Sequence, residues 1–309
     1  MAAKTATMVD IVRRTKRLLN SNTRTELDAI HTALDSDTTS TVRLKYQTEG
    51  IRAGSYISIS NSTTAPETMY VHSRNGEYIT VSRGVDGSPA TNWQANSVIE
   101  VEPRFSGFQI FEAIKDAILA LPDNLYAVST TTAAFSTTEQ SVTSSDLATT
   151  GFNQILSATR TARSSEDRLL NFNVKVQEYG GAYEIIRQEG IEKAVTVYLT
   201  YAHPFTTSTL SLDTDLVGTV GMTVEMTDIP ALGAAAALLL GEESLRLDLH
   251  SQGSSRIDAA VAAGDRARYS LVLQAQYDRR VSQEARRLMA KYGVRTGAVV
   301  SSTFPTTIR

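Results

Sequence analysis

Apolar residues recur at Val9, Val12, Leu18 and Leu19, then at Leu27, Ile30 and Leu34. Steps of three and four along the chain predict two N-terminal helices over 1–37, a helical hairpin. Thr23 is placed to cap the second, with Glu26 three residues on. The period then changes to two: Val42, Leu44 and Tyr46 alternate with polar residues, as do Ile57 and Ile59, Met69 and Val71, and Ile79 and Val81. Gly50, Gly54, Gly76, Gly84 and Gly87 punctuate these runs, so 38–104 reads as a small antiparallel β-barrel or sandwich of about five strands.

Helical spacing returns at Ile110, Phe111, Ile114, Ile118 and Leu121, and Pro122 ends it, giving a linking helix over 105–122. Alternation resumes at Ile155, Val174, Val176, Ile185, Val195, Val197, Leu199 and Tyr201, which marks a second β-domain over 123–229. Gly180 and Gly181 are suited to its tightest turn. From 230 to 292 the pattern is helical again: an Ala and Leu-rich stretch, a polar loop at 250–256, and a long helix with an arginine-rich polar face. The last segment, 293–309, has no helical period and reads as an extended tail that orders on a neighbour. The fold class expected is α+β, with a C-terminal long-helix hairpin.

Composition narrows the chemistry. The chain of 309 residues has 68 serines and threonines, no cysteine and four histidines. Thiolate metal sites, disulfides and a cysteine nucleophile are therefore excluded. There is no apolar leader in the opening residues, and the longest apolar run, 231–240, is about half a membrane span. The expectation is a protein made and assembled in a cytosol, with no membrane partner.

The net charge of −3 is unevenly laid out. Residues 1–24 carry +5, residues 25–265 carry −15 and residues 266–309 carry +7. Basic ends on an acidic body suit nucleic-acid contact at the ends, subunits that meet end to body, or simply the wet faces of terminal helices. Arg266, Arg268, Arg279, Arg280, Arg286, Arg287 and Lys291 are the candidate interaction residues of the long helix, and Phe304 is the candidate of the tail. Trp93, the single tryptophan, is either an interface anchor or part of a turn packed back on its own barrel.

Phosphate-binding, nucleotide-binding, hydrolase-elbow and zinc-protease motifs are all missing from the sequence. Asp213 and Asp215 open like a calcium loop, but Leu216, Val217 and Gly218 do not continue its oxygen ligands. His72 and His203 sit in strand patterns, where hydrogen-bonding structural roles are expected. No catalytic, cofactor or metal residues are assigned, and the expectation is a protein that is not an enzyme.

Two stretches resemble a known group. ETMYV, EYITVSRGVDGSPATNW and SVIEVEPRF, within 67–105, look like a module of tailed-bacteriophage structural proteins in which a strand ending in "TV.RG..G" enters a glycine turn. Gly84 and Gly87 permit the turn, and Arg83 is placed to brace the loop. PALGAAAALLLGEE, QGSSR and EARRLMAKY, within 230–292, are similar to the C-terminal helical part of head-to-tail connector (adaptor, neck) proteins. The resemblance implies a virion protein that forms a ring of about twelve copies beneath the portal. Such a ring extends the DNA channel, docks tail or nozzle proteins, and contacts genomic DNA non-specifically. Two other roles stay open at this point, a minor tail or baseplate protein and a virion-associated glycan-degrading enzyme.

Overall fold

The computed structural model describes residues 6–19, 26–36, 39–136, 138, 141–144, 153–159, 174–179, 182–187, 195–206, 210–251 and 265–292. The fold is α+β, and the chain divides into two compact units. The first comprises residues 1–121, 207–219 and 224–280; the second comprises 122–206, 220–223 and 281–309.

The first unit opens with helix α1 (Met8–Leu19), whose buried residues Met8, Ile11, Val12, Thr15 and Leu19 form one face. Six antiparallel strands follow: β1 (Leu27–Ala29), β2 (Thr39–Arg43), β3 (Tyr56–Ser60), β4 (Glu67–Asn75), β5 (Tyr78–Val85) and β6 (Val98–Val101). They pair in the order β1-β6-β3-β4-β5-β2. The sheet curls into a half-barrel whose two edges touch where Ile30 bridges Leu44. Hydrogen bonds from His31 to Arg43 (2.8 Å) and from Lys45 to Ala29 (2.8 Å) hold that contact. Inward positions alternate, so Ile57, Ile59, Met69, Val71, Ile79, Val81 and Ile99 fill one core together with Trp93.

The strands expected within 38–104 are present. The second N-terminal helix is not. Residues 27–29 form β1, and Ile30 and Leu34 make isolated bridges to Leu44 and Trp93. Spacing of three and four fits this segment, yet its backbone groups are claimed by β6 and by the 93–97 loop, and pairing overrides a short helical pattern. Thr23 lies outside the described residues.

Helix α2 (Gly107–Leu119) starts at a capping box, in which the Ser106 hydroxyl accepts from Gln109 N and the Gln109 side chain accepts from Ser106 N. Gly107 sits where an added Cβ would meet Pro66 at 2.9 Å and the Ser58 hydroxyl at 3.1 Å. That close approach seats α2 on the barrel. A single 3₁₀ turn (Val224–Met226) leads into α3 (Ile229–Ser251), and α4 (Asp265–Tyr292) follows. The helical segment 224–242 is long and apolar enough to cross a membrane by length and composition, a property the broken apolar run did not suggest. In this fold its Ile229, Ala231, Ala234, Ala235 and Leu239 are buried.

Helices α3 and α4 are antiparallel where they touch. Arg280 pairs with Asp228 at 3.1 Å, the Ser270 hydroxyl donates to Ala236 O at 2.8 Å, and Arg266 pairs with Glu242.

Among the described residues of the second unit the strands form two three-stranded antiparallel sheets. One has β7 (Ala127–Phe135), β12 (Val195–His203) and β9 (Gln154–Thr159) in the order β7-β12-β9. The other has β10 (Val174–Tyr179), β11 (Ala182–Arg187) and β8 (Ser141–Ser144) in the order β10-β11-β8. Phe135, Ile155, Val174, Ile185, Val197, Leu199 and Tyr201 bring residues from both sheets into one core. Gly180 and Gly181 lie outside the described residues; the strands beside them pair antiparallel, with Tyr179 opposite Ala182.

Candidate interaction surface

The barrel loop is fixed from inside. Arg83, at the end of β5, and Glu67, at the start of β4, have fully buried side chains. The guanidinium donates to both carboxylate oxygens, from Nε to Oε1 at 2.9 Å and from Nη2 to Oε2 at 2.6 Å. It also donates to the carbonyls of Asp35 and Thr91. Glu67 accepts in addition from Gly84 N (3.0 Å) and from Trp93 Nε1 (2.6 Å). Every charge is thus paired and hydrogen-bonded, the condition under which a buried ion pair is tolerated. Gly84 has φ +66°, and an added Cβ would lie 3.1 Å from Ser88 O, so the turn requires glycine.

Arg83 therefore braces the loop as its position in the sequence suggested. Trp93 is 1% exposed and is not an interface anchor. Its indole fills the barrel while its N–H meets Glu67, the turn-packed-back alternative. Glu67 carried no signal in the sequence, because only strand register brings it opposite a residue sixteen positions away.

The long helix carries the other candidates, and the structure separates them. Arg266 pairs with Glu242, which also holds Arg104. Arg280 pairs with Asp228, which Arg14 of α1 approaches at 3.5 Å, and Arg280 donates to Glu225 O at 2.7 Å. These two arginines tie helices of one chain together and are not free for a partner. Arg287 reaches Glu284 one turn earlier at 3.4 Å, Arg268 is exposed and engaged, and Lys291 lies 5.0 Å from the Tyr292 ring. Arg279 and Arg286 are exposed, and among the described residues neither has an ion-pair partner. They lie seven residues apart, on one helical face. Exposed apolar side chains accompany them on α4: Leu271 is 69% exposed and Met289 69%. Phe304 lies outside the described residues.

The remaining polar candidates are local structure. Asp215 accepts from Val217 N at 3.0 Å, and Asp213 bonds the Ser211 hydroxyl, which describes a turn. Among the described residues no group of His, Asp and Glu is arranged to hold a metal ion. His203 Nδ1 lies 2.8 Å from Pro204 O, and Nε2 lies 2.9 Å from the Ser129 hydroxyl. A carbonyl only accepts, so Nδ1 carries a proton and Nε2 faces the hydroxyl. This chain of hydroxyl, imidazole and carbonyl has the order of an activated serine, but His203 is 5% exposed and serves to pin β7 to the end of β12.

Burial lifts the Tyr277 phenol above its ordinary range, and the neighbouring Asp278 carboxylate adds to the lift. Burial likewise raises Tyr126, with a smaller contribution from Tyr292. Comparison with protein-family models and with curated proteins finds no match to this chain.

Proposed function

We propose that the chain is a structural subunit of a tailed-phage virion, a head-to-tail connector that forms a ring beneath the portal, extends the DNA channel and docks the tail. The reading joins the sequence resemblance to one observation: α4 presents Arg279 and Arg286, which have no ion-pair partner among the described residues, together with exposed Leu271, Val272 and Met289. A lone chain gains nothing from such a helix, whereas an assembly buries its apolar groups and neutralises its charges. In this reading α3 and α4 form one antiparallel helical hairpin that rests beside α1, and residues 293–309 order on a neighbouring subunit.

A minor tail or baseplate protein is the second reading, favoured by the two-sheet second unit, since stacked β-modules suit a tail's layered wall. The test is mass spectrometry of purified virions combined with immunogold labelling. Label at the neck supports the connector, label at the tail tip supports the second reading, and absence from particles refutes both. Deleting 293–309 is expected to leave a folded chain that fails to enter particles, measured by thermal melting and by particle composition. Normal incorporation of the truncated chain contradicts that role for the tail.

A further inference from the structure

Helix α4 carries three exposed arginines on one line. Arg268 and Arg286 are eighteen residues apart, about five full turns, so they lie at the same angle around the helix. Arg279, eleven residues after the first, falls within about 20° of them. The line from Arg268 to Arg286 is about 27 Å long. Beside it lie Val272, Ala275, Gln276, Ser282 and Gln283, all exposed and none charged. The result is a cationic ridge with small or neutral groups between its arginines.

The acids of α4 are three, and none stands on the line between these arginines. Asp265 opens the helix, ahead of Arg268. Asp278 lies about 100° around the helix from Arg279 and accepts from Gln274 at 3.1 Å. Glu284 is 5% exposed, with Arg287 beside it at 3.4 Å. Other cations of α4 are turned elsewhere, Arg266 to Glu242 and Arg280 to Asp228. Leu271 and Met289 are likewise eighteen residues apart, and they share a separate stripe about 80° from the ridge.

We infer that the ridge of Arg268, Arg279 and Arg286 binds the phosphate backbone of a nucleic-acid duplex without reading its sequence. All three cations are arginines, whose planar fork matches a phosphate. The small neutral residues between them let a sugar-phosphate strand lie close to the helix, and about 27 Å corresponds to roughly eight base pairs of rise. A protein partner is served less well, because a protein interface sets its charges around an apolar centre, and α4 keeps Leu271 and Met289 on another stripe. The net charge of −3 does not oppose the contact, since at physiological salt charges beyond about 8 Å are screened. The inference rests on the connector reading, in which a ring surrounds DNA, and names the surface that meets it.

The test is fluorescence anisotropy of a labelled, mixed-sequence DNA duplex of about 30 base pairs, titrated with the full chain between about 50 and 200 mM salt. Three phosphate contacts predict a slope of about −3 for the logarithm of the binding constant against the logarithm of salt concentration. R279Q with R286Q is expected to bring the slope to about −1, while K45Q with R52Q, two exposed cations of the first unit's barrel, leaves it near −3. Melting curves of each variant confirm that folded proteins are compared. Absence of binding at about 50 mM salt, or equal slopes for the two double variants, overturns the assignment. It is overturned equally if R279Q with R286Q weakens self-association in sedimentation without DNA and leaves duplex binding unchanged, since the ridge is then a protein contact. A chain found as a ring in the neck that does not bind the duplex removes this contact alone. Duplex binding through the ridge by a chain absent from virions leaves the contact standing and removes the connector reading.

Discussion

Glu67, Arg83 and Trp93 form the most constrained group in the described part of the molecule, a carboxylate that accepts from a guanidinium, an indole and a backbone N–H inside an apolar barrel. Glu67→Gln keeps the shape but leaves the Arg83 guanidinium buried without its counter-charge, so a loss of about 3–5 kcal/mol is expected in denaturant titration. A change under about 1 kcal/mol would show that water reaches the pair. The single tryptophan reports on the same site: its native fluorescence is expected to resist acrylamide and to become quenchable only as the barrel unfolds. Part of this group was legible in the sequence. Gly84, Gly87 and Arg83 announce a braced turn because their residue types have few other uses there. Glu67 and Trp93 do not, since an isolated carboxylate and an indole between polar neighbours look like surface residues until strand pairing folds the loop over them.

At the scale of elements, α2 and α3 depend on close approach. Gly233 of α3 faces Tyr277 and Ala117, with 3.2 Å from an added Cβ to the Tyr277 ring and 3.4 Å to Ala117. Gly233→Val is therefore expected to cost about 1–3 kcal/mol in urea unfolding, because the branched side chain must push α4 or α2 outward. Ser106→Ala removes the α2 cap and is expected to cost about 1 kcal/mol. Tyr126 and Tyr277 give the molecule an alkaline limit. Both phenols are harder to ionise folded than unfolded, so their contribution to stability is full below the unfolded value of about 10 and is lost as pH rises through the higher folded values. The urea midpoint should stay level towards pH 10 and fall above it, and Tyr126→Phe with Tyr277→Phe should make that fall shallower; an unchanged slope would contradict the linkage.

Helix α2 was readable at this scale because Ile110, Phe111, Ile114 and Ile118 repeat on one stripe and Pro122 stops the pattern. The 26–36 segment was not, because Ile30 and Leu34 satisfy helical spacing while their N–H groups donate to Ser97 O and Trp93 O, partners that periodicity does not see.

For the whole molecule, charge is what the fold reorganises most. The sequence places cations at both ends, and the structure divides them into two groups with different work. Arg14, Arg266 and Arg280 hold helices to Asp228 and Glu242, so Arg280→Glu should lower the melting temperature whether or not a partner is present. Arg279 and Arg286 make no such contact among the described residues, and Arg279→Glu with Arg286→Glu should leave melting within about 1 °C while weakening incorporation into particles. A large fall in melting temperature for that double variant would place these arginines inside the fold. The division could not be read from the sequence, since Arg266, Arg279, Arg280 and Arg286 share one helix and differ in whether an acid lies across from them. The connector reading is tested most directly by an electron cryomicroscopy reconstruction of the neck of the intact particle. A closed ring of this chain beneath the portal, its barrel and helices fitted as repeating copies, is expected; a neck built without it contradicts the connector role.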